Sequence, residues 1–489
     1  MANERALSNR FIVGCPGSGS TLLMKIFAES PLCVVPRRKV STDAATTVFE
    51  FVEGLAAESD KSREEILRSA FHEGRRVFLF AAEPCSDAHT GKCRTSVLDI
   101  CDEAVLPVFC IRDPVRVFDI WKKEGRSDWK TLVHCFKRLL QYTSGNGQIL
   151  YEQLVEDPRE ELSKICSYWE IPFTDNLTRV TKSDGPYFLS KSGESVRILR
   201  EKSPPTKRKL AHSVIQDVTY YDIVSNVEKD MIERAVGSAY ISRWGGQAVA
   251  LRNILMERPW FAFDLDDTLH EFRRASSKAS DVVLKTIHQW HKVPLPDLKA
   301  TYSEILELST PAAFTDGRSS QEYREPRFRA VAENYELTIH GEDMAHLLRL
   351  YKKSLKDSLG LKSGTLELFS TLKGLGKMIA VITEGPQDAQ EWTLERLRLT
   401  GYVDFLATSG HFEASKTDGL IPMVLDHLEI TADDVVYIGD SEERDIKPAM
   451  TNGLLCVHLS EKENCNLGLR PPHVNTLNKL THILRSSSK

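Results

Sequence analysis

"WFAFDLDDTL", residues 260 to 269, is a short apolar run that ends in the carboxylates Asp264, Asp266 and Asp267. An uninterrupted apolar run of this length, closed by turn-forming residues, predicts a strand buried on both faces, the kind found in parallel sheets. Asp264 and Asp266 are two residues apart, which would place them on one face of an extended strand. The chain turns here, however, so both can reach into the pocket at the strand's carboxyl end. Two carboxylates so placed suit phosphoryl transfer: one attacks phosphorus, the other protonates the leaving oxygen, and Mg²⁺ neutralises the crowded negative charge.

Working outward from this stretch, three further segments extend the pattern. "KMIAVIT" (377 to 383) predicts a strand ending in Thr383, "EASKTDG" carries Lys416, and the strand-like "DVVYIGD" (434 to 440) runs into "SEERD", giving Asp440 and Asp445. "YVDFLATSG" (402 to 410) is a fourth strand-like run. Together these motifs resemble, in order, those of the haloacid dehalogenase (HAD) superfamily, phosphatase branch, over roughly residues 259 to 475. The resemblance implies a Rossmann-like core with Asp264 as nucleophile and Asp266 as general acid and base. It also implies Thr383 and Lys416 on the phosphoryl oxygens, and a Mg²⁺ site built from Asp264, Asp266, Asp440 and Asp445. Asp266 favours a phosphate ester over a haloacid, because the dehalogenases of this superfamily need no leaving-group acid.

Residues 275 to 365, between the first two motifs, carry helical patterns with charged faces, as in "ASDVVLKTIHQWHKV" and "MAHLLRLYKKSLKDSL". They resemble the family's helical C1-type cap, which closes over the pocket and selects the leaving group. Within it, "STPAAFTDGRSSQEYREPRFR" (309 to 329) offers Arg318, Arg324, Arg327 and Arg329. An arginine here would suit an anionic substrate, and four arginines would equally suit a solvated surface.

The amino-terminal half has its own signal. "GCPGSGST" (14 to 21) follows the apolar "RFIV" and runs into the helical pattern of "TLLMKIFAES", so its amides fall at a helix N-terminus that can hold phosphate. Ser20 stands where a P-loop kinase has its lysine. "PGSGSTLLMKIFAESP", "CIRDPVRVFDIWKK" and "ILYEQLVEDPREELSKICSYWEIP" together resemble the P-loop sulfotransferases, over roughly residues 9 to 245. That resemblance implies a nucleotide donor, 3′-phosphoadenylyl sulfate or another nucleotide, held by Gly14, Gly17, Ser18, Gly19, Ser20, Thr21 and Arg112, with Arg112 on the 3′-phosphate. The chain departs from the pattern at Gly17, where the family has a cation, and at Ile120, where it has a serine. The neighbouring Arg37, Arg38 and Lys39 supply that charge, bind a phosphorylated acceptor or form a solvated turn. A transferase and a phosphate-binding module without catalysis both remain open. So does a kinase and phosphatase pair for nucleic-acid ends, although Ser20 and the absence of a basic, aromatic-lined groove oppose it.

The expected architecture is thus α/β in two domains. Residues 1 to 250 form a sulfotransferase-like P-loop domain with a parallel sheet, and residues 258 to 489 form a HAD-like hydrolase with its cap. The length of 489 residues agrees with two or three domains at roughly 150 residues each. With 41% hydrophobic and 27% charged residues the composition is that of a globular protein, and a net charge of −5 provides no basic field for nucleic acid. Neither a secretory leader pattern nor a membrane-spanning apolar run is visible, so a cytoplasmic enzyme acting on a small phosphorylated metabolite is expected. The ten cysteines show no metal-ligand spacing and are expected to be reduced and buried.

Overall fold

The computed structural model describes residues 8–27, 30, 32–34, 77–82, 106–142, 147–178, 188–189, 195–196, 224–309 and 314–486. The chain divides into two compact units: residues 1–244 with 464–466, and residues 245–463 with 467–489. Arg37, Arg38, Lys39 and nearly all of the Gly-, Ser- and Pro-rich stretch 183 to 209 lie outside the described residues.

In the first unit, five parallel strands run in the order β2-β3-β1-β4-β5: β1 Ser8–Gly14, β2 Cys33–Val34, β3 Val77–Ala82, β4 Val108–Ile111 and β5 Gln148–Leu150. The apolar runs of the sequence form β1, β3 and β4, since a sheet covered on both faces requires continuous burial. A short antiparallel pair, β6 (Phe188–Leu189) and β7 (Ser195–Val196), stands apart from this sheet. β1 leads through the glycine-rich loop into the helix Ser20–Phe27. The helix Pro114–Lys123 begins on Asp113, whose side chain accepts from the amides of Val115 (2.9 Å) and Arg116 (3.3 Å). Such a cap is worth about 1 kcal/mol. Phe27 and Trp169 meet in the core at 4.8 Å, and the Trp169 indole N–H donates to the Leu106 carbonyl at 2.8 Å. Each such fully buried aromatic ring contributes roughly 2–3 kcal/mol. All seven described cysteines are buried, and burial pushes the Cys110 thiol up to about 12.

The second unit holds a six-stranded parallel sheet in the order β10-β9-β8-β11-β12-β13. Its strands are β8 Trp260–Phe263, β9 Met378–Thr383, β10 Phe405–Thr408, β11 Val435–Gly439, β12 Leu455–Leu459 and β13 His473–Val474. β8 is central, and the chain continues to β9 on one side and β11 on the other. That reversal opens a crevice at the carboxyl ends of these three strands, where Asp264, Thr383 and Asp440 lie. β12 and β13, which the sequence reading did not resolve, extend the sheet on the β11 side.

Four helices, Phe272–His291, Leu295–Ser309, Ser320–Asn334 and Gly341–Ser358, form the insert between β8 and β9. They have their own core, in which Tyr302 stacks on Phe328 at 5.4 Å and Phe328 meets Tyr351 at 5.9 Å. The chain enters and leaves the insert on two connectors bonded to each other. Glu271 N–H donates to the Gly360 carbonyl (3.0 Å) and Lys362 N–H to the Leu269 carbonyl (2.9 Å).

Candidate active site

The crevice of the second unit is built from β8 outward. Asp264 continues the sheet ladder for one residue, its N–H donating to the Ile438 carbonyl at 3.0 Å. The chain then leaves the sheet in a tight turn, with Leu269 N–H on the Leu265 carbonyl (3.0 Å), Asp267 N–H on the His270 carbonyl (2.9 Å), and Asp267 at φ +64°. The turn aims the Asp264 carboxylate at Lys416, whose Nζ donates to Asp264 Oδ1 at 2.5 Å and to Asp445 Oδ1 at 2.6 Å. Lys416 is only 3% exposed, so this ammonium is a desolvated bridge between two buried carboxylates.

Asp445 is further held by the Tyr437 hydroxyl on Oδ1 (3.1 Å) and the Ser441 amide on Oδ2 (3.0 Å). It approaches so closely that a Cβ on Gly439 would lie 2.5 Å from the Asp445 Cβ, so only glycine fits there. Asp440 is tied to the β8 turn through Thr268, whose hydroxyl oxygen accepts from the Asp440 amide at 3.0 Å. Exposed Arg273 reaches Asp440 at 3.6 Å and Asp267 at 3.1 Å. Thr383, at the end of β9, is fully buried, and its hydroxyl has no hydrogen-bond partner among the described residues.

Carboxylate oxygens of Asp264, Asp440 and Asp445 all lie within 4.8 Å of one another. Burial drives the Asp264 carboxyl well above its ordinary range; Lys416 opposes this, while Asp445 and Asp440 add to it. Asp440 is raised by burial and then by Asp445. Burial works against the charge on Lys416, yet Asp264 and Asp445 hold it firmly protonated. Three crowded carboxylates facing one ammonium fit a divalent cation with oxygen ligands. Asp266 stands outside this cluster. Its Oδ1 lies 2.8 Å from Nε2 of His270, a fully buried residue four positions on.

The sequence reading overlooked Thr268, His270 and Tyr437. It also overlooked Glu384, which accepts from the Lys416 amide at 3.1 Å. The one available signal was spacing, since Thr268 and His270 belong to the same short turn as Asp264 and Asp266. In the insert, Ser320 donates from its amide (2.9 Å) and hydroxyl (2.8 Å) to Asp388, which lies on the core helix Gln387–Arg396. The four arginines of the insert divide into two kinds. Arg318 is paired with Asp316 at 2.6 Å and Arg329 with Glu325 at 2.6 Å, all at the surface. Half-buried Arg324 lies over the Tyr351 ring at 5.1 Å and donates to Ser320 Oγ at 3.2 Å, and Arg327 lies 5.9 Å from the Phe314 ring.

In the first unit the glycine-rich loop and Arg112 come together. Arg112 donates from NH1 to the Gly17 carbonyl at 3.1 Å, and its guanidinium lies 4.1 Å from the centre of the Tyr151 ring. Gly19 needs its missing side chain, because φ is +102° and a Cβ would meet Tyr151 at 2.4 Å. The Ser18 amide donates to Cys15 within the loop (2.9 Å), and the Ser18 hydroxyl is buried without a partner among the described residues. Gly14 is likewise buried, so the surface left to an anion is the stretch from Gly17 to Thr21 without the Ser18 side chain. The first-turn amides of Ser20–Phe27 have no intrahelical acceptor by position.

The family model described as haloacid dehalogenase-like hydrolase matches residues 261–458, and this part of the chain is a HAD-like hydrolase domain. Over 239 residues the chain is 24% identical to a glyceraldehyde 3-phosphate phosphatase of Methanocaldococcus jannaschii, covering 46% of this chain and 97% of that protein. Among solved structures, it is similar to the HAD-hydrolase YfnB of Bacillus subtilis, with 23% identity, a TM-score of 0.38, and coverage of 47% of this chain and 100% of that one. A HAD phosphatase of Thermococcus onnurineus is similar at 19% identity with a TM-score of 0.36, covering 46% of this chain and 97% of that one.

Proposed function

We propose that the hydrolase domain, residues 258 to 489, is a cation-dependent phosphate monoester hydrolase acting on a small phosphorylated metabolite. The observation that carries this reading is the position of Asp264. It sits at the strand-order reversal of the sheet, in contact with Lys416 and within 4.8 Å of the carboxylates of Asp440 and Asp445. In this reading Asp264 attacks phosphorus, while Lys416 and the unpartnered hydroxyl of Thr383 hold the phosphoryl oxygens. Asp266 gives its proton to the ester oxygen as the P–O bond breaks. It then takes one from the water that hydrolyses the aspartyl phosphate. A Mg²⁺ held by Asp264, Asp440 and Asp445 would offset the repulsion between the carboxylates and the phosphoryl group.

The phosphatase relative supports a phosphate ester as the substrate class. Asp264→Asn should abolish hydrolysis while the protein stays folded, because the amide has the same shape and no nucleophilic oxygen anion. Turnover by that variant at the wild-type rate would refute the assignment.

For residues 1 to 250 we infer an anion-binding, sulfotransferase-like domain in which Arg112 provides the cation that the loop itself lacks. Its bond to the Gly17 carbonyl supports this, since it places a guanidinium against the loop. Titration of the full chain with a 3′,5′-bisphosphonucleotide, ATP and inorganic phosphate tests the reading and separates a sulfonate-donor site from a kinase site. Binding of none of the three would refute it. Among the described residues no helix is long and apolar enough to cross a membrane.

A further inference from the structure

Asp266 has two carboxyl oxygens, and in the reading above it must present a proton to the leaving group. Oδ1 lies 2.8 Å from Nε2 of His270, and Asp266 makes no other hydrogen bond among the described residues. His270 is fully buried, and its Nδ1 has no hydrogen-bond partner among the described residues. Orphaned buried N–H groups are rarer than orphaned acceptors, so the ring hydrogen belongs on Nε2, facing Asp266. The imidazole is enclosed, and the backbone that carries it is held in place. Its own carbonyl accepts from Asp267 N–H, and its two chain neighbours are bonded across to the returning connector, Leu269 by Lys362 and Glu271 by Gly360. The Phe272 ring closes one side at 5.9 Å, edge-on.

We infer that His270 is a positioning residue for the general acid. Donating from Nε2 to Oδ1 of Asp266, it leaves Oδ2 as the oxygen that carries and delivers the proton. The consequence is directional. With Oδ1 occupied as an acceptor, the carboxyl proton resides on Oδ2, and it passes from Oδ2 to the ester oxygen as the bond between an Asp264 oxygen and phosphorus forms and the bond from phosphorus to the leaving group breaks. In the second half-reaction the same Oδ2 takes the proton of the attacking water, so the carboxyl returns to its starting state and His270 neither gains nor loses a proton. Without the donor, the proton is shared between the two oxygens and the carboxyl rotates freely about its Cβ–Cγ bond.

This inference rests on the reading of Asp266 as leaving-group acid, and its test separates the two. The measurement is kcat/KM of the full chain with Mg²⁺, which reports the steps through P–O cleavage, for an alkyl phosphate and for 2,4-dinitrophenyl phosphate. The dinitrophenolate departs without a proton. General acid catalysis typically contributes 10²–10⁴-fold, so His270→Phe should lower kcat/KM for the alkyl ester by about 10–100-fold and for the dinitrophenyl ester by less than about threefold. His270→Gln, which keeps an N–H donor near the Nε2 position, should retain alkyl-ester turnover to within about threefold of wild type. Equal losses on both esters, or full alkyl-ester activity in His270→Phe, would overturn the inference. If His270→Phe does not fold, His270→Met against His270→Gln poses the same question, because both are unbranched and only one donates. Asp266→Asn is run in parallel. If it too shows no selective loss on the alkyl ester, the assignment of Asp266 fails; if it shows that loss and the His270 variants do not, only the role of His270 fails.

Discussion

Gly17 and Ile120 are packed against each other: a Cβ on Gly17 would lie 3.1 Å from Ile120 Cγ2, at a residue whose φ is +83°. These are the two positions at which the sequence departs from the pattern of the sulfotransferases that it resembles, one in the loop and one in the helix Pro114–Lys123, and the structure makes them one packing unit. The apolar side chain fills the place against which a loop side chain would have to stand.

Gly17→Ala should therefore destabilise the protein by about 1 kcal/mol or more, from the unfavourable φ and the contact together. Ile120→Ala in the same chain should recover the contact part only. A double-mutant cycle in chemical denaturation should give a coupling of roughly 0.5–3 kcal/mol. Additive single effects would show that the two residues do not press on each other.

The Lys416 bridge predicts a second outcome. Lys416→Met removes the ammonium and leaves Asp264 and Asp445 buried with no opposite charge, a change that typically costs about 3–5 kcal/mol. Measured in the presence of a chelator, the loss should be large, and added Mg²⁺ should recover more stability in the variant than in the wild type. In the wild type, a cation at about 100 times its dissociation constant should add about 2.7 kcal/mol. Asp440→Asn should shrink that increment. A Mg²⁺ response that is unchanged in Asp440→Asn would remove this carboxylate from the metal site.

Glu152 predicts a pH dependence in the first unit. It is 2% exposed, and burial, followed by repulsion from Asp113, raises its carboxyl from an ordinary 4.5 to about 7. A folded-state value above the unfolded one means that the folded protein keeps a proton which the unfolded chain gives up. The protein is then most stable, as far as this group decides, below about pH 4.5. It loses roughly 3 kcal/mol as the pH rises to about 7, and no more beyond. Glu152→Gln should flatten the difference in denaturation midpoint between pH 5 and pH 8. An unaltered slope would show that this carboxyl is not the titrating group.

Among the insert arginines, pairing decides the expectation. Arg318→Ala and Arg329→Ala should leave KM within about twofold, because each cation already has a surface carboxylate partner. Arg324→Ala, next to the junction made by Ser320 and Asp388, should raise KM about tenfold with little change in kcat, as expected for loss of one charged hydrogen bond to the leaving group. Equal effects from Arg318 and Arg324 would place the substrate contacts elsewhere.

The strands that the sequence revealed are mostly buried apolar runs: β4 and β11 are buried throughout, β8 and β9 everywhere but at their first residues, Trp260 and Met378, and β10 in its second half. β13 escaped notice because two residues, His473 and Val474, carry no periodicity, and β12 because its segment stood outside the motif series. The carboxylates and Lys416 were legible because charge at the end of an apolar run is conspicuous. Their partners were not. Tyr437 lies within a strand and reads as core, His270 reads as the end of a turn, and the bond of Ser320 to Asp388 spans 68 residues with no local mark. Such contacts arise from folding, and composition and spacing do not encode them individually.

The two connectors of the insert have a consequence for modularity. Because Glu271 is bonded to Gly360 and Lys362 to Leu269, the ends of the inserted segment are already brought together by the core. To the sheet, everything between those bonds is a closed loop, and the entropic cost of closing a loop grows only with the logarithm of its length. The β8 to β9 crossover is therefore only weakly sensitive to the length of what it carries. An insert of another size at this point should leave the strand order undisturbed, so that under the proposed function the carboxylate cluster and the insert could vary separately.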